Sequence, residues 1–146
     1  MKFEVLGTVR GKGRPRFARR GSFVNTHTDD KTLSYEGEIK YAFIQSKGVK
    51  LDGQVGVKIL IIHSPPKSAS KKKQLEMLSN AIRPMKKPDV DNVAKVVCDA
   101  LNKLAYNDDT QVVRLEIYKF YGEQEKLIVE IVPTIDKTIA NSEVNT

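Results

Sequence analysis

Residues 86–109, KKPDVDNVAKVVCDALNKLAYNDD, place the tightest demand on how this chain folds. Val93, Val96, Val97, Ala100, Leu101 and Leu104 recur at helical spacing, so a helix here must bury one face. Asp91, Lys95 and Asp99 follow one another at steps of four. Each such step turns about 400°, a net drift of roughly 40° around the axis with a climb of about 6 Å. The three therefore form a row beside the apolar face. Pro88 and Asp89 precede the first turn, where a carboxylate meets the positive end of the helix. Asp108 and Asp109 close the stretch, which makes five carboxylates in all.

The rest of the chain has the opposite charge. Twenty-five Lys and Arg against 18 Asp and Glu give a net charge of +7. Six of those cations (Arg10, Lys12, Arg14, Arg16, Arg19 and Arg20) lie within 11 residues that contain no acid. Seven more fall between Lys67 and Lys87 against Glu76 alone, Lys71, Lys72, Lys73, Lys86 and Lys87 among them. Two such clusters flanking an acidic centre point to a polyanionic partner, nucleic acid above all. A solvated loop and a solvated helix face would read the same way.

Length and composition fit one globular domain: 146 residues, 40% hydrophobic, with no tryptophan. The longest apolar run, Val57 to Ile62 broken by Lys58, is too short to span a bilayer. Lys2 and Glu4 break up any signal-peptide core, and the single cysteine, Cys98, has no internal partner. A reducing cytoplasm is the expected setting. His27 and His63 stand apart and make no zinc cluster; they read as surface or strand-end residues.

Residues 2–10 alternate as a first strand, and the Gly- and Arg-rich 11–27 reads as a loop or ragged hairpin. Asp29 or Asp30 is expected to cap a helix to about Lys47, with Leu33, Ile39, Tyr41, Phe43 and Ile44 inward, Gly37 as a weak point and Gly48 as its stop. Residues 53–64 read as a central strand. A serine-capped helix follows, with Leu75, Met77, Leu78 and Ile82 inward. Two strands around Gly122 read as a hairpin. The expected architecture is one α+β domain over residues 1–132, a mixed β-sheet with helices packed on it, followed by a flexible tail over 133–146.

If a strand begins near Asp109, alternation puts Asp109, Gln111, Val113, Leu115 and Ile117 on the more apolar face, toward the helix. Asp109, rather than Asp108, would then approach Asp89 and Asp91. Converging carboxylates repel one another unless a cation binds between them, and oxygen-only ligation suits Mg²⁺ or Mn²⁺ rather than zinc. Plainer readings compete: helix caps, a turn at Asn107–Asp109, and i,i+4 surface pairs along the helix. A calcium loop does not fit, because Ala94 and Ala100 stand where glycine and glutamate are needed.

KPDVDN followed by K, then DALN, then AYNDDTQV, resembles the active-site signature of the RusA family of Holliday-junction resolvases of bacteria and their phages and prophages. GKGRPRF near the N-terminus is similar to the family's Arg-Pro-Arg region. The matched block, Lys87 to Val112, departs from relatives at Lys103–Leu104, where a glycine is frequent. The resemblance implies a homodimeric, Mg²⁺-dependent endonuclease that cuts four-way DNA junctions in recombination and repair. It places the essential acidic trio on Asp89, Asp91 and Asp109 and the active-site lysine on Lys95, with supporting roles for Asn92, Asp99 and Asp108. Arg14, Arg16 and their neighbours, Lys71 to Lys73 and Lys86–Lys87 would hold junction phosphates. Tyr118, Phe120 or residues 53–62 would supply the dimer contact. A non-catalytic DNA-binding protein of recombination or packaging, its acids serving only as caps, is the alternative. A third reading is a Mg²⁺-dependent nuclease acting on flaps or forks.

Overall fold

The computed structural model describes residues 1–13 and 16–134, leaving aside the side chains of Arg16, Ala18, Phe23 and Asn25. Arg14 and residues 135–146 of the expected tail lie outside the described residues. Chain order is β1 (Lys2–Leu6), β2 (Arg16–Arg20), β3 (Phe23–His27), α1 (Asp30–Gln45), β4 (Val55–His63), α2 (Lys71–Leu78), α3 (Val90–Leu101), β5 (Val112–Tyr121) and β6 (Lys126–Pro133). This is the expected α+β arrangement with a mixed sheet, in the order β1-β6-β4-β5, and a separate β2–β3 ribbon.

β4 is central, as its nearly continuous Val/Ile run requires, with Val55, Val57, Ile59 and Ile61 fully buried. It pairs in parallel with β5 and antiparallel with β6. The expected β5–β6 hairpin is therefore wrong: the two strands flank β4 and never pair. Their short connection passes over the end of β4, where the Gly122 N–H donates to the His63 carbonyl at 2.9 Å. A Cβ on Gly122 would stand 2.7 Å from the Ile62 side chain, which explains the glycine.

α1 begins at Asp29, whose carboxylate accepts from the Thr32 N–H at 3.3 Å. Its buried stripe is Thr32, Tyr35, Ile39 and Phe43. Leu33, Tyr41 and Ile44, expected inward, are more than half exposed. The helical period accounts for this: Leu33 lies roughly 120° around the axis from Ile39, and Tyr41 roughly 160°. α2 stops at Leu78 and buries Met77 alone, while Leu75 and Leu78 face solvent. α3 follows its sequence pattern closely, with Val93, Val96, Val97, Ala100 and Leu101 at 0% exposure. It packs beside α1 on the face of the sheet that carries Val57 and Ile59. Leu104 lies partly buried against the same core.

Pro133 ends β6, and Thr134 is buried with its N–H on the Gln54 carbonyl at 3.1 Å, so the fold extends to this point. Gly48 does follow α1, but the left-handed residue there is Lys47 (φ 60°). Gly48 is required for space instead, since a Cβ would lie 2.3 Å from the Phe43 ring. Phe43 is buried edge-to-face against Phe3, with centroids 6.0 Å apart, and has little room to yield. Gly48→Ala should therefore lower the unfolding free energy by about 1–3 kcal/mol in a urea titration; no change would mean that Phe43 can move freely.

His63 ends β4 buried, with Nε2 lacking a partner among the described residues. Burial, then Lys86, hold its pKa below 6.5. The unfolded chain thus takes up this proton first, and stability falls as pH drops below about 6.5 toward the folded-state pKa. His63→Gln should flatten the stability-versus-pH curve between pH 7 and 6; an unchanged slope would clear His63 of that role.

Candidate active site

Asp89 is the N-cap of α3, but its side chain makes no capping hydrogen bond. Asp91 occupies the first turn and Lys95 the next, both exposed, and Asp99 follows half-buried in the third. The burial of Val93, Val96 and Val97 turns this row outward along the rim of the core. Asn92 lies half-buried and bonds the N-terminal loop through its backbone: its carbonyl accepts from the Lys12 N–H at 3.0 Å. That loop is wedged between two helices. Gly13 N–H donates to Thr32 Oγ1 of α1 at 2.8 Å. A Cβ on Gly11 would stand 2.7 Å from Asn92 Cβ, and one on Gly13 would stand 2.6 Å from the Asp29 carboxylate. The two glycines are where they are because a backbone must come this close.

The wedged loop delivers Lys12 to Asp99, with Nζ 2.5 Å from Oδ2 and about a quarter to a third of each side chain exposed. Lys12, expected on DNA, is thus engaged inside the site. Lys95 forms no ion pair among the described residues, so Asp99 draws its counter-charge from Lys12 instead. Glu36 of α1 completes this corner: burial, then the Asp99 carboxylate, raise its pKa. Neither Glu36 nor the Lys12–Asp99 bridge is visible in local sequence, because the partners are up to 87 residues apart.

Asp109 does not begin a strand. It opens a 3₁₀ turn, Asp109–Gln111, that Asp108 caps through the Thr110 N–H at 3.3 Å. A register shift between Val55 and Gly56 then breaks the alternation before Arg114. Beyond it, Leu115 and Ile117 do share a face with Val57 and Ile59, as expected. Gln111 fixes the turn. Its Oε1 accepts from Asn107 N–H at 2.7 Å and Asp108 N–H at 3.1 Å, while its Nε2 donates to the Leu51 and Gly53 carbonyls. Tyr106, buried, donates to the Cys98 carbonyl at 2.8 Å and ties the preceding turn to the end of α3.

The fixed turn brings Asp109 near Asp99. A hydrogen bond to Asp108, then loss of solvation, then the charges of Asp108 and Asp99 push the Asp109 carboxyl above its usual range. The Thr110 N–H, then Asp109, hold Asp108 below its own. The Asp99 carboxylate on α3 thus acts electrostatically on Asp109, ten residues later in the chain. Among the described residues no group of three or more His, Cys, Asp or Glu is closed tightly enough to hold a metal ion, so Asp89, Asp91 and Asp109 are not gathered into one.

Beside Asp89 opens a cleft of about 530 Å³, lined by Arg10, Lys12, Lys31, Lys87 and Asn92 among others. Arg10, Lys31 and Lys87 are exposed and form no ion pair among the described residues. Lys31 carried no sequence signal, being an isolated cation between helix-forming residues. Arg19, Arg20, Lys71, Lys72, Lys73 and Lys86 are exposed as expected, on the β2–β3 ribbon, the first turn of α2 and the loop before α3. Arg16 is in the ribbon, with its side chain outside the described residues.

A mixed sheet thus backs a helix whose rim carries carboxylates, alongside cations that form no ion pair among the described residues. The chain matches the family model for endodeoxyribonuclease RusA over residues 7–132 and belongs to that family of Holliday-junction nucleases. It is also similar to an uncharacterized protein, YqaN, of Bacillus subtilis (strain 168), with 37% identity over 134 residues covering 90% of this chain and 94% of that one.

The Lys12–Asp99 bridge is part-exposed and should contribute little to folding. A double-mutant cycle with Lys12→Met and Asp99→Asn should give a coupling of about 0.5–1 kcal/mol. A value near zero would show that the contact is not maintained in solution.

Proposed function

We propose that this chain is a Mg²⁺-dependent endonuclease that resolves four-way DNA junctions by paired phosphodiester hydrolysis in recombination and repair, acting as a homodimer in the bacterial cytoplasm. The observation that supports the reading is an uncapped Asp89 on a cation-lined cleft, continued along α3 by the row Asp91, Lys95 and Asp99.

The donor chemistry fits a hard divalent ion: exposed carboxylate oxygens and an Asp89 side chain released from capping, while burial holds the neighbouring Cys98 thiol protonated. Asp89, Asp91 and Asp109 would hold Mg²⁺ (or Mn²⁺), with Asp99 and Asp108 in support. When bound, the ion supplies an activated water and polarises the phosphoryl oxygen. Lys95, which forms no ion pair among the described residues, is available to face charge that builds on the phosphoryl oxygens. Lys12 offsets Asp99, which keeps the acidic corner from repelling the DNA backbone outright.

DNA is held largely through phosphates. Arg10, Lys31 and Lys87 line the cleft; Lys86 lies next to it in the chain, and Arg19, Arg20 and Lys71 to Lys73 extend the cationic surface. Lys71 to Lys73 sit at the positive end of α2, which is unfavourable for the helix and favourable for an anion. The sheet face away from α1 and α3 is the surface for a second copy. There Leu60 pairs with Tyr118 and Ile62 with Phe120, and all four retain solvent exposure. A C2 dimer then presents two sites to a two-fold symmetric junction.

Asp91→Asn should retain junction binding and lose cleavage in Mg²⁺ by at least about a hundredfold. Cutting at the wild-type rate would remove Asp91 from the ligand set. Arg10→Ala combined with Lys31→Ala should weaken binding and reduce the slope of log K against log salt by about 1.8; an unchanged slope would take the cleft off the DNA path.

A further inference from the structure

Met85 is 95% exposed, the largest exposure of any large apolar residue described. Single surface methionines are ordinary and need no explanation. This one differs in how it is held and in what surrounds it. On its N-terminal side Arg83 Nε donates to the Lys119 carbonyl at 2.6 Å, with the guanidinium 4.0 Å above the Phe120 ring. Pro84 is buried. On the C-terminal side, Lys119 Nζ donates to the Lys86 carbonyl. Further back, Asn80 Oδ1 accepts from the Tyr121 N–H at 3.0 Å. Both flanks of Met85 are thus fastened to the edge strand β5, and the methionine projects from a braced loop.

Its neighbours are cationic. Lys86 and Lys87 follow directly, and Asp89 is four residues on, at most about 14 Å away along an extended chain. That distance is about four nucleotide steps of 3.4 Å. Flexible apolar side chains, methionine among them, are the ones proteins insert between base steps, and the unstacking costs a few kcal/mol per step. The cost is least where stacking is already interrupted, as at a branch point.

We propose that Met85 is a wedge that enters the branch point of bound DNA, unstacking a base step within about four nucleotides of the phosphate to be cut. The proposal rests on the junction-binding reading above and adds a specificity element to it. The basic loop anchors the flanking phosphates while Met85 takes the place of a stacking neighbour. An intact linear duplex offers no interrupted step, so Met85 favours branched over linear DNA.

The test uses the full-length protein in EDTA, a four-way junction with 2-aminopurine at the branch point, and a linear duplex carrying the same label. Wild type is expected to raise fluorescence on the junction at saturation and not on the duplex. Met85→Ala should lose most of that rise while junction affinity by anisotropy is largely kept, and Met85→Leu should retain it. A wild type that binds the junction without a rise, or an alanine variant that matches wild type, overturns the wedge alone. A wild type that does not bind the junction overturns the nuclease reading and the wedge together. If Met85→Ala instead converts a dimer to a monomer in sedimentation, Met85 is a protein contact and the wedge is wrong.

Discussion

The buried face of α3 is the contact on which the rest depends. Five side chains at 0% exposure (Val93, Val96, Val97, Ala100 and Leu101) lock the helix against α1 and the sheet. Each large aliphatic among them is worth about 1.5–3 kcal/mol of burial. That adhesion fixes the rotation of the helix, and so fixes where Asp91, Lys95 and Asp99 point. The loop at 8–13 and the turn at 107–111 then close on the helix from opposite directions in the chain. Each arrives by specific hydrogen bonds to the helix backbone: Lys12 N–H to the Asn92 carbonyl, and the Tyr106 hydroxyl to the Cys98 carbonyl, with the Gln111 side chain bracing the turn against Leu51 and Gly53.

Holding carboxylates together has a cost, and the chain shows where it falls. Asp109 carries it as a raised pKa; Asp99 is offset by Lys12; Asp108 is stabilised by the turn it caps. A net charge of +7 surrounds this acidic corner. Such opposition suits a site that must draw in a polyanion while keeping room for a cation at its centre. Open carboxylates that remain only partly gathered are compatible with ligands that close when cation and phosphate bind together.

The sequence was most legible where a periodic pattern was strong and local. α3, the central strand β4 and, to within one residue (Asp29 or Asp30), the cap of α1 could be read from residue spacing. α1 could be located but not oriented, because Leu33, Tyr41 and Ile44 are apolar without belonging to the Thr32–Tyr35–Ile39–Phe43 stripe. The hairpin expected at Gly122 failed for a topological reason: short separation cannot reveal a third strand inserted between two neighbours. The site divides in the same way. The acidic block and Lys95 stood out in one window, whereas Glu36, Lys31 and the partnering of Lys12 with Asp99 depend on long-range folding. The face assigned to Asp109 rested on strand alternation, which a 3₁₀ turn and a register shift interrupt.

The most direct test of the central claim is cleavage by the wild-type protein of a synthetic four-way junction, a replication fork and a linear duplex, each in Mg²⁺ or EDTA. The account predicts symmetric nicks in opposed strands of the junction in Mg²⁺ and none in EDTA, with forks and duplex cut far less. Binding that ignores the chelator, with no cleavage in any divalent metal, would contradict it and leave a DNA-binding protein whose carboxylates only cap and brace.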